Sequence, residues 1–259
     1  MSNIRVVVLT GGPTLEFEVV AFLEMLEDDP EIELAGVFSQ SPQRGASGIV
    51  RDLWQRRGLL SAPIILLNTW SYLWHQVTSP HVSRRHRQVR RNLRERTHYV
   101  DDLHSHDVIA CISELNPGLA LVYGGPIIKP CLFQIPDRGT LGIHHGKVPD
   151  YRGKKTTFWA IYNGETEVGV TIQRLCTRLD GGDIVMQALL PVAKQPLGRI
   201  KRLLQTTGID LYIRAIHAVR TGTATFTVQP PVQAILYRDP TAADIIRFWY
   251  RYMLRLVQN

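Results

Sequence analysis

Residues 4–29, IRVVVLTGGPTLEFEVVAFLEMLEDD, decide the fold class. The β-branched run up to Thr10 has no polar alternation and stops at Gly11-Gly12, the pattern of a strand buried on both faces. Leu15, Val19, Phe22, Leu23 and Leu26 then recur at helical spacing. The same alternation continues outward. IELAGVFSQ (32–40) reads as a second strand and APIILLN (62–68) as a third. VIACISELNPGLALVYGG (108–125) reads as a short helix followed by a buried strand. Continuous apolar runs separated by helices predict the α/β class, with a Rossmann-like, mostly parallel sheet covered on both faces.

From residue 139 the strands shorten: GTLGI, VGVTIQRL and DIVMQALLPV. A long helix is expected over 197–222, then a passage carrying Pro230, Pro231 and Pro240. The last segment opens with Thr241 and Asp244 at near capping-box spacing. Arg247, Arg251 and Arg255 mark one solvated stripe of a helix packed on the domain. The division expected is a main domain over 1–190 and a smaller C-terminal β/α appendage over 191–259.

The composition, 44% apolar and 20% charged, is that of a soluble globular chain. A net charge of +7 suits an anionic small-molecule partner or a merely basic surface. Cys111, Cys131 and Cys176 form no paired motif, which argues against a disulfide framework or structural zinc and for a reducing cytoplasm. With no run of about 18 apolar residues, membrane insertion is not expected. Arg84–Arg96 holds seven arginines and one glutamate with almost no aromatic interleaving, so a solvated face is expected there and nucleic acid is not an expected partner.

The stretch GIHHGKVPDYRGKKTTFWAIYNGE (142–165) carries the chemistry. An apolar run ends in His144 and His145, which places histidine at the sheet edge where α/β proteins bind ligands. LDGGDIVMQ (179–187) then supplies Asp180 ahead of two glycines. A carboxylate beside an imidazole favours the charged ring. Such a pair suits acyl transfer to an amine, one group stabilising an oxyanion and the other helping to remove a proton. No His, Cys or carboxylate cluster with ligand spacing surrounds them, so no metal is implied.

The segment GIHHGKVPDYRGKKTTFWAIYNGETEVGVTIQRLCTRLDGGDIVMQ resembles the formyltransferases that use 10-formyltetrahydrofolate. That family includes glycinamide ribonucleotide, methionyl-tRNA and amino-sugar enzymes. Its pattern of Asn-x-His, a Tyr-Arg-Gly-like turn, Asn-Gly-Glu, Gly-Val-Thr and Leu-Asp-x-Gly recurs in order, except that Gly142 stands where the family has asparagine. The resemblance makes 1–190 the catalytic domain, with His144 and Asp180 as catalytic residues. His145 is either a spare oxyanion donor or a loop residue packed on Tyr151. The missing amide donor is of a kind worth about 2.7–4 kcal/mol of barrier.

By the same resemblance, Tyr123, Gly124, Gly125, Pro126, Cys176 and Leu179 would hold the pterin largely by backbone, with Leu121 and Ile128 as apolar walls. Gly12, Thr14, Lys147, Tyr151 and Arg152 would meet the acceptor. By elimination the acceptor is a small-molecule amine on a nucleotide-linked amino sugar. Hydrolysis of 10-formyltetrahydrofolate, a catalytically silent binding module and a homodimer all stay open.

Overall fold

The computed structural model describes residues 3–12, 15–41, 87–192, 195–230 and 235–258. The expected strand at 62–68, Thr14, Pro231 and the start of the Arg84–Arg96 segment lie outside the described residues. The strands are β1 (Ile4–Gly11), β2 (Ile32–Gln40), β3 (Thr97–Val100), β4 (Leu119–Val122), β5 (Thr140–His144), β6 (Arg152–Gly153), β7 (Glu167–Arg174), β8 (Ile184–Pro191) and β9 (Leu236–Tyr237). The helices are α1 (Phe17–Asp28), α2 (His106–Glu114), α3 (Pro130–Phe133), α4 (Thr156–Asn163), α5 (Leu197–Thr221) and α6 (Ala242–Gln258).

Seven strands form one sheet in the order β3-β2-β1-β4-β5-β7-β8, while β6 pairs with β9 separately. The run from β3 to β5 is parallel, and β7 and β8 complete the sheet antiparallel. The mostly parallel sheet is therefore as expected. Alternation in β1 explains the two-sided burial: Val6 and Val8 enter one core cluster, Val7 and Leu9 the other. Burying each such side chain contributes about 1.5–3 kcal/mol.

Helix α5 lies on the first of these faces. Ile200, Leu204, Leu211, Ala215, Ile216 and Val219 face inward and join the cluster that holds α1 and β1. The expected boundary at residue 190 is not marked by a break in this core. Tyr212, fully buried, places its hydroxyl between β4 and β5. It donates to the Leu141 carbonyl at 2.7 Å and accepts from the Val122 N–H at 3.0 Å. That phenol acts as a rung where the two strands part.

Helix α6 starts with the reciprocal cap its sequence announced. Asp244 N–H donates to Thr241 Oγ1 at 3.2 Å, and Thr241 N–H donates to Asp244 Oδ2 at 2.9 Å. Phe248 and Tyr252 are buried against the body, while Arg247 and Arg251 are exposed. In the arginine-rich segment, Arg96 forks onto Glu27 at 2.9 and 3.0 Å, and Arg90 donates to the Leu15 carbonyl. Arg87, Arg91 and Arg94 are exposed, in line with a solvated face. Among the described residues no helix is long and apolar enough to cross a membrane.

Candidate active site

The chain runs from β1 to β2 and β3 on one side and returns through β4 on the other, so the β1–β4 boundary is the switch point of the sheet. Ligands of open α/β sheets bind outside the carboxyl ends of the strands there. The two loops touch. A Cβ on Gly11 would lie 2.7 Å from Gly125 Cα, and Gly125 adopts φ +102°. Only glycine on both sides permits this approach. A cavity of 790 Å³ opens beside it, bordered by Thr10, Gly11, Tyr123, Gly124, Gly125, His144 and His145. Its far walls come from Glu18, Phe158, Lys201, Gln205, Phe248 and Trp249.

His144 is the last residue of β5, with its side chain 10% exposed. Its Nδ1 stands 3.5 Å from Asp180 Oδ1, and its Nε2 donates to the Tyr151 carbonyl at 2.9 Å. Both partners accept only, so the ring satisfies both at once when it carries both protons. Asp180 sits at φ +48°, in the left-handed region. Its Oδ2 accepts from the Gly153 N–H at 2.8 Å and its Oδ1 from Gln173 Nε2 at 3.3 Å. Gly182 allows this turn, because a Cβ there would fall 1.7 Å from the Arg174 carbonyl oxygen.

His145 points to the other face of the strand, as alternation requires. Its Nε2 is buried without a partner, next to Gly208 of α5. Burial pushes the ring down to about 4, helped by the nearby charges of His144 and Lys201. Tyr151 stacks on Tyr237 at 5.2 Å. The Tyr123 hydroxyl is a second buried group without a partner, and burial followed by the charge of Glu18 raises its pKa.

The other expected residues divide. Leu121 and Ile128 belong to different core clusters, and neither borders the cavity. Cys176 Sγ lies 3.4 Å from the Arg178 carbonyl, and Arg152 donates to the Leu179 carbonyl at 3.0 Å. Gly12 is committed to the end of β2, donating to the Gln40 carbonyl at 2.8 Å and accepting from the Ser39 hydroxyl at 2.8 Å. Lys147 pairs loosely with Asp150 at 3.9 Å. Pro126, Lys147, Tyr151, Arg152, Cys176, Leu179 and Asp180 do not border the cavity. Asp180 reaches it through His144.

Sequence reading missed several wall residues. Glu18 lies 3.4 Å from Lys201 and accepts from Gln205, and these two sit at i and i+4 on α5. Phe158 and Phe248 stack at 4.6 Å. Polar residues at helical spacing on α5 were the one available signal. At Gly142 an added Cβ would meet Leu175 Cδ1 at 2.7 Å, so that space is filled. Among the described residues, Asp29, Glu31 and His217 bring three potential metal-ligand atoms within 4.8 Å, but Arg220 already pairs with Glu31 at 2.5 Å.

Similarity to known proteins agrees with this geometry. The chain is 30% identical over 151 residues to the methionyl-tRNA formyltransferase of Pelotomaculum thermopropionicum, covering 54% of this chain and 48% of that protein. The chain thus spans about half the length of the curated relatives it matches. A sugar N-formyltransferase from a Shewanella species superposes with a TM-score of 0.58 at 15% identity, over 95% of this chain and 86% of that one. Glycinamide ribonucleotide transformylase 1 from Symbiobacterium toebii gives 0.58 at 16%, over 88% and 95%. These two likenesses speak for the fold. The formyl transferase family model matches residues 76–216, more than half of the sequence and all of the His144–Asp180 region, and the chain belongs to that family.

Proposed function

We propose that this chain transfers a formyl group from 10-formyltetrahydrofolate to a primary amine on a nucleotide-linked amino sugar. The observation that carries the reading is the His144–Asp180 pair at the end of β5, beside a 790 Å³ cavity at the switch point. When bound, the folate supplies the formyl carbon that the amine attacks. The residues present fit such a group. Gly124 and Gly125 border the cavity and offer backbone donors and acceptors, and a Cβ at Gly125 would fill the close approach to Gly11.

In this reading the His144 ring, held between the Asp180 carboxylate and the Tyr151 carbonyl, contributes the positive charge that stabilises the developing oxyanion. Asp180 orients the ring, balances its charge and helps move the proton that the attacking amine loses to the nitrogen that leaves as its bond to the formyl carbon breaks. Phe158, Phe248 and Trp249 offer aromatic faces for a base, and Lys155 and Lys201 offer charge for a diphosphate.

Calorimetric titration with 5-formyltetrahydrofolate tests the donor site without knowledge of the acceptor. Micromolar binding that weakens in Asp180→Ala is expected, and absence of binding heat would overturn the reading. Amino-sugar nucleotides then test the acceptor. The contact between Gly142 and Leu175 favours a second reading, a silent module that binds folate without transfer. Binding with no product formed from any amine would select it.

A further inference from the structure

The carboxylate of Asp180 is braced by a segment that lies beyond the family match, which ends at residue 216. After α5 the chain returns to the sheet. Thr227 and Ile184 exchange backbone hydrogen bonds at 2.8 and 2.9 Å, and the Arg174 guanidinium lies 4.1 Å from the centre of the Phe226 ring. These contacts seat Gln229, 3% exposed, beside the turn that carries Asp180. Its Nε2 reaches the Gly182 carbonyl at 2.6 Å, Gln173 Oε1 at 3.1 Å and the Asp180 carbonyl at 3.2 Å. Gln173, 6% exposed, in turn donates from Nε2 to Asp180 Oδ1, the oxygen that faces His144.

The geometry points to Gln229 as a positioning residue that acts through Gln173 and the Asp180 backbone to aim the carboxylate at His144. The inference rests on the reading of Asp180 as part of the transfer site. Its physical basis is the asymmetry of an amide. Because Gln229 donates to Gln173 Oε1, the Gln173 amide has its NH2 left for the carboxylate. Without that donor the amide is free to turn, and its oxygen would then face Asp180 as one acceptor against another. Gln229 also draws the carbonyls of residues 180 and 182 toward one NH2 group, which holds the left-handed turn. Buried polar networks of this kind lose more than one bond when a member goes.

The test uses the full chain and two readouts. Gln229→Met keeps the side-chain bulk and removes the amide. The Gly153 amide, which donates to Asp180 Oδ2 at 2.8 Å, reports the carboxylate by NMR. Its resonance is expected to move in the same direction in Gln229→Met as in Asp180→Asn. Formyl transfer from 10-formyltetrahydrofolate to hydroxylamine, a probe amine, is expected to lose kcat by about 10²-fold with the donor KM little changed, as for a misplaced reacting group. Should Gln229→Met fail to fold, Gln173→Met carries the same two readouts. An unmoved Gly153 resonance, or an unchanged kcat, would overturn the inference. A wild-type protein that transfers nothing sinks the formyl-transfer reading, and the Gly153 resonance then decides whether the glutamine holds the carboxylate.

Discussion

His144 faces Asp180 at 3.5 Å at the C-terminal end of β5, whereas His217 meets Asp29 at 2.7 Å and Glu31 at 3.1 Å near the start of β2. The residue types are the same and the second group is the tighter. It is also the wetter: the His217 and Glu31 side chains are 29% and 48% exposed, against 10% and 16% for His144 and Asp180. Arg220 closes the second group, and the strand ends of the switch point lie at the other edge of the sheet. Short ion-pair distances therefore mark a strut here. The pair proposed as reactive is marked by its place beside the cavity and by the amides that donate to its carboxylate.

The comparison breaks first at the rate. His144→Ala is expected to lose about 10²–10⁴-fold in formyl transfer with an unchanged far-ultraviolet circular dichroism spectrum. Near-normal turnover in that variant would remove the distinction between the two histidines.

A third histidine sharpens the contrast through pH. His145 is held at about 4 in the fold, below its ordinary 6.5, so between those values the unfolded chain binds the extra proton. Stability should then fall as pH is lowered through this window, by on the order of 3 kcal/mol in all. Denaturant unfolding of His145→Gln should show that much less loss, and equal slopes for the two proteins would refute the burial of the ring as the cause.

The smallest effect belongs to the strut. His217→Ala should leave formyl transfer at its wild-type rate and lower unfolding stability by about 1 kcal/mol or less, as for partly exposed ion pairs. A large drop in rate would show that the far edge of the sheet reaches the site.

Periodicity made much of this molecule legible. The buried runs of β1, β2 and β4 and the spacing in α1 and α5 announce their own structure, because their side chains are sorted by water. Strand β3, THYV, gave no such signal: it is an edge strand with His98 and Tyr99 exposed. His144 and Asp180 were legible through the pattern around them. That Leu121 and Ile128 join different core clusters was not legible, because period-two alternation cannot be carried through the Gly-Gly-Pro turn between them. Gln173 and Gln229 were invisible for another reason. A glutamine acquires a role only from the atoms that folding brings to its amide, and these two are 56 residues apart.

The phenol of Tyr212 has a consequence for the range of conditions in which the protein can exist. Its proton bridges α5 to the parting of β4 and β5, and burial, the largest influence, raises its pKa well above the ordinary 10.0. A group whose folded pKa is raised stabilises the fold below its unfolded value and ceases to do so as pH climbs past it. Tyr212, together with Tyr123, thus gives the fold an alkaline frontier. On its far side α5 gives up the hydrogen bonds by which Tyr212 ties it to β4 and β5.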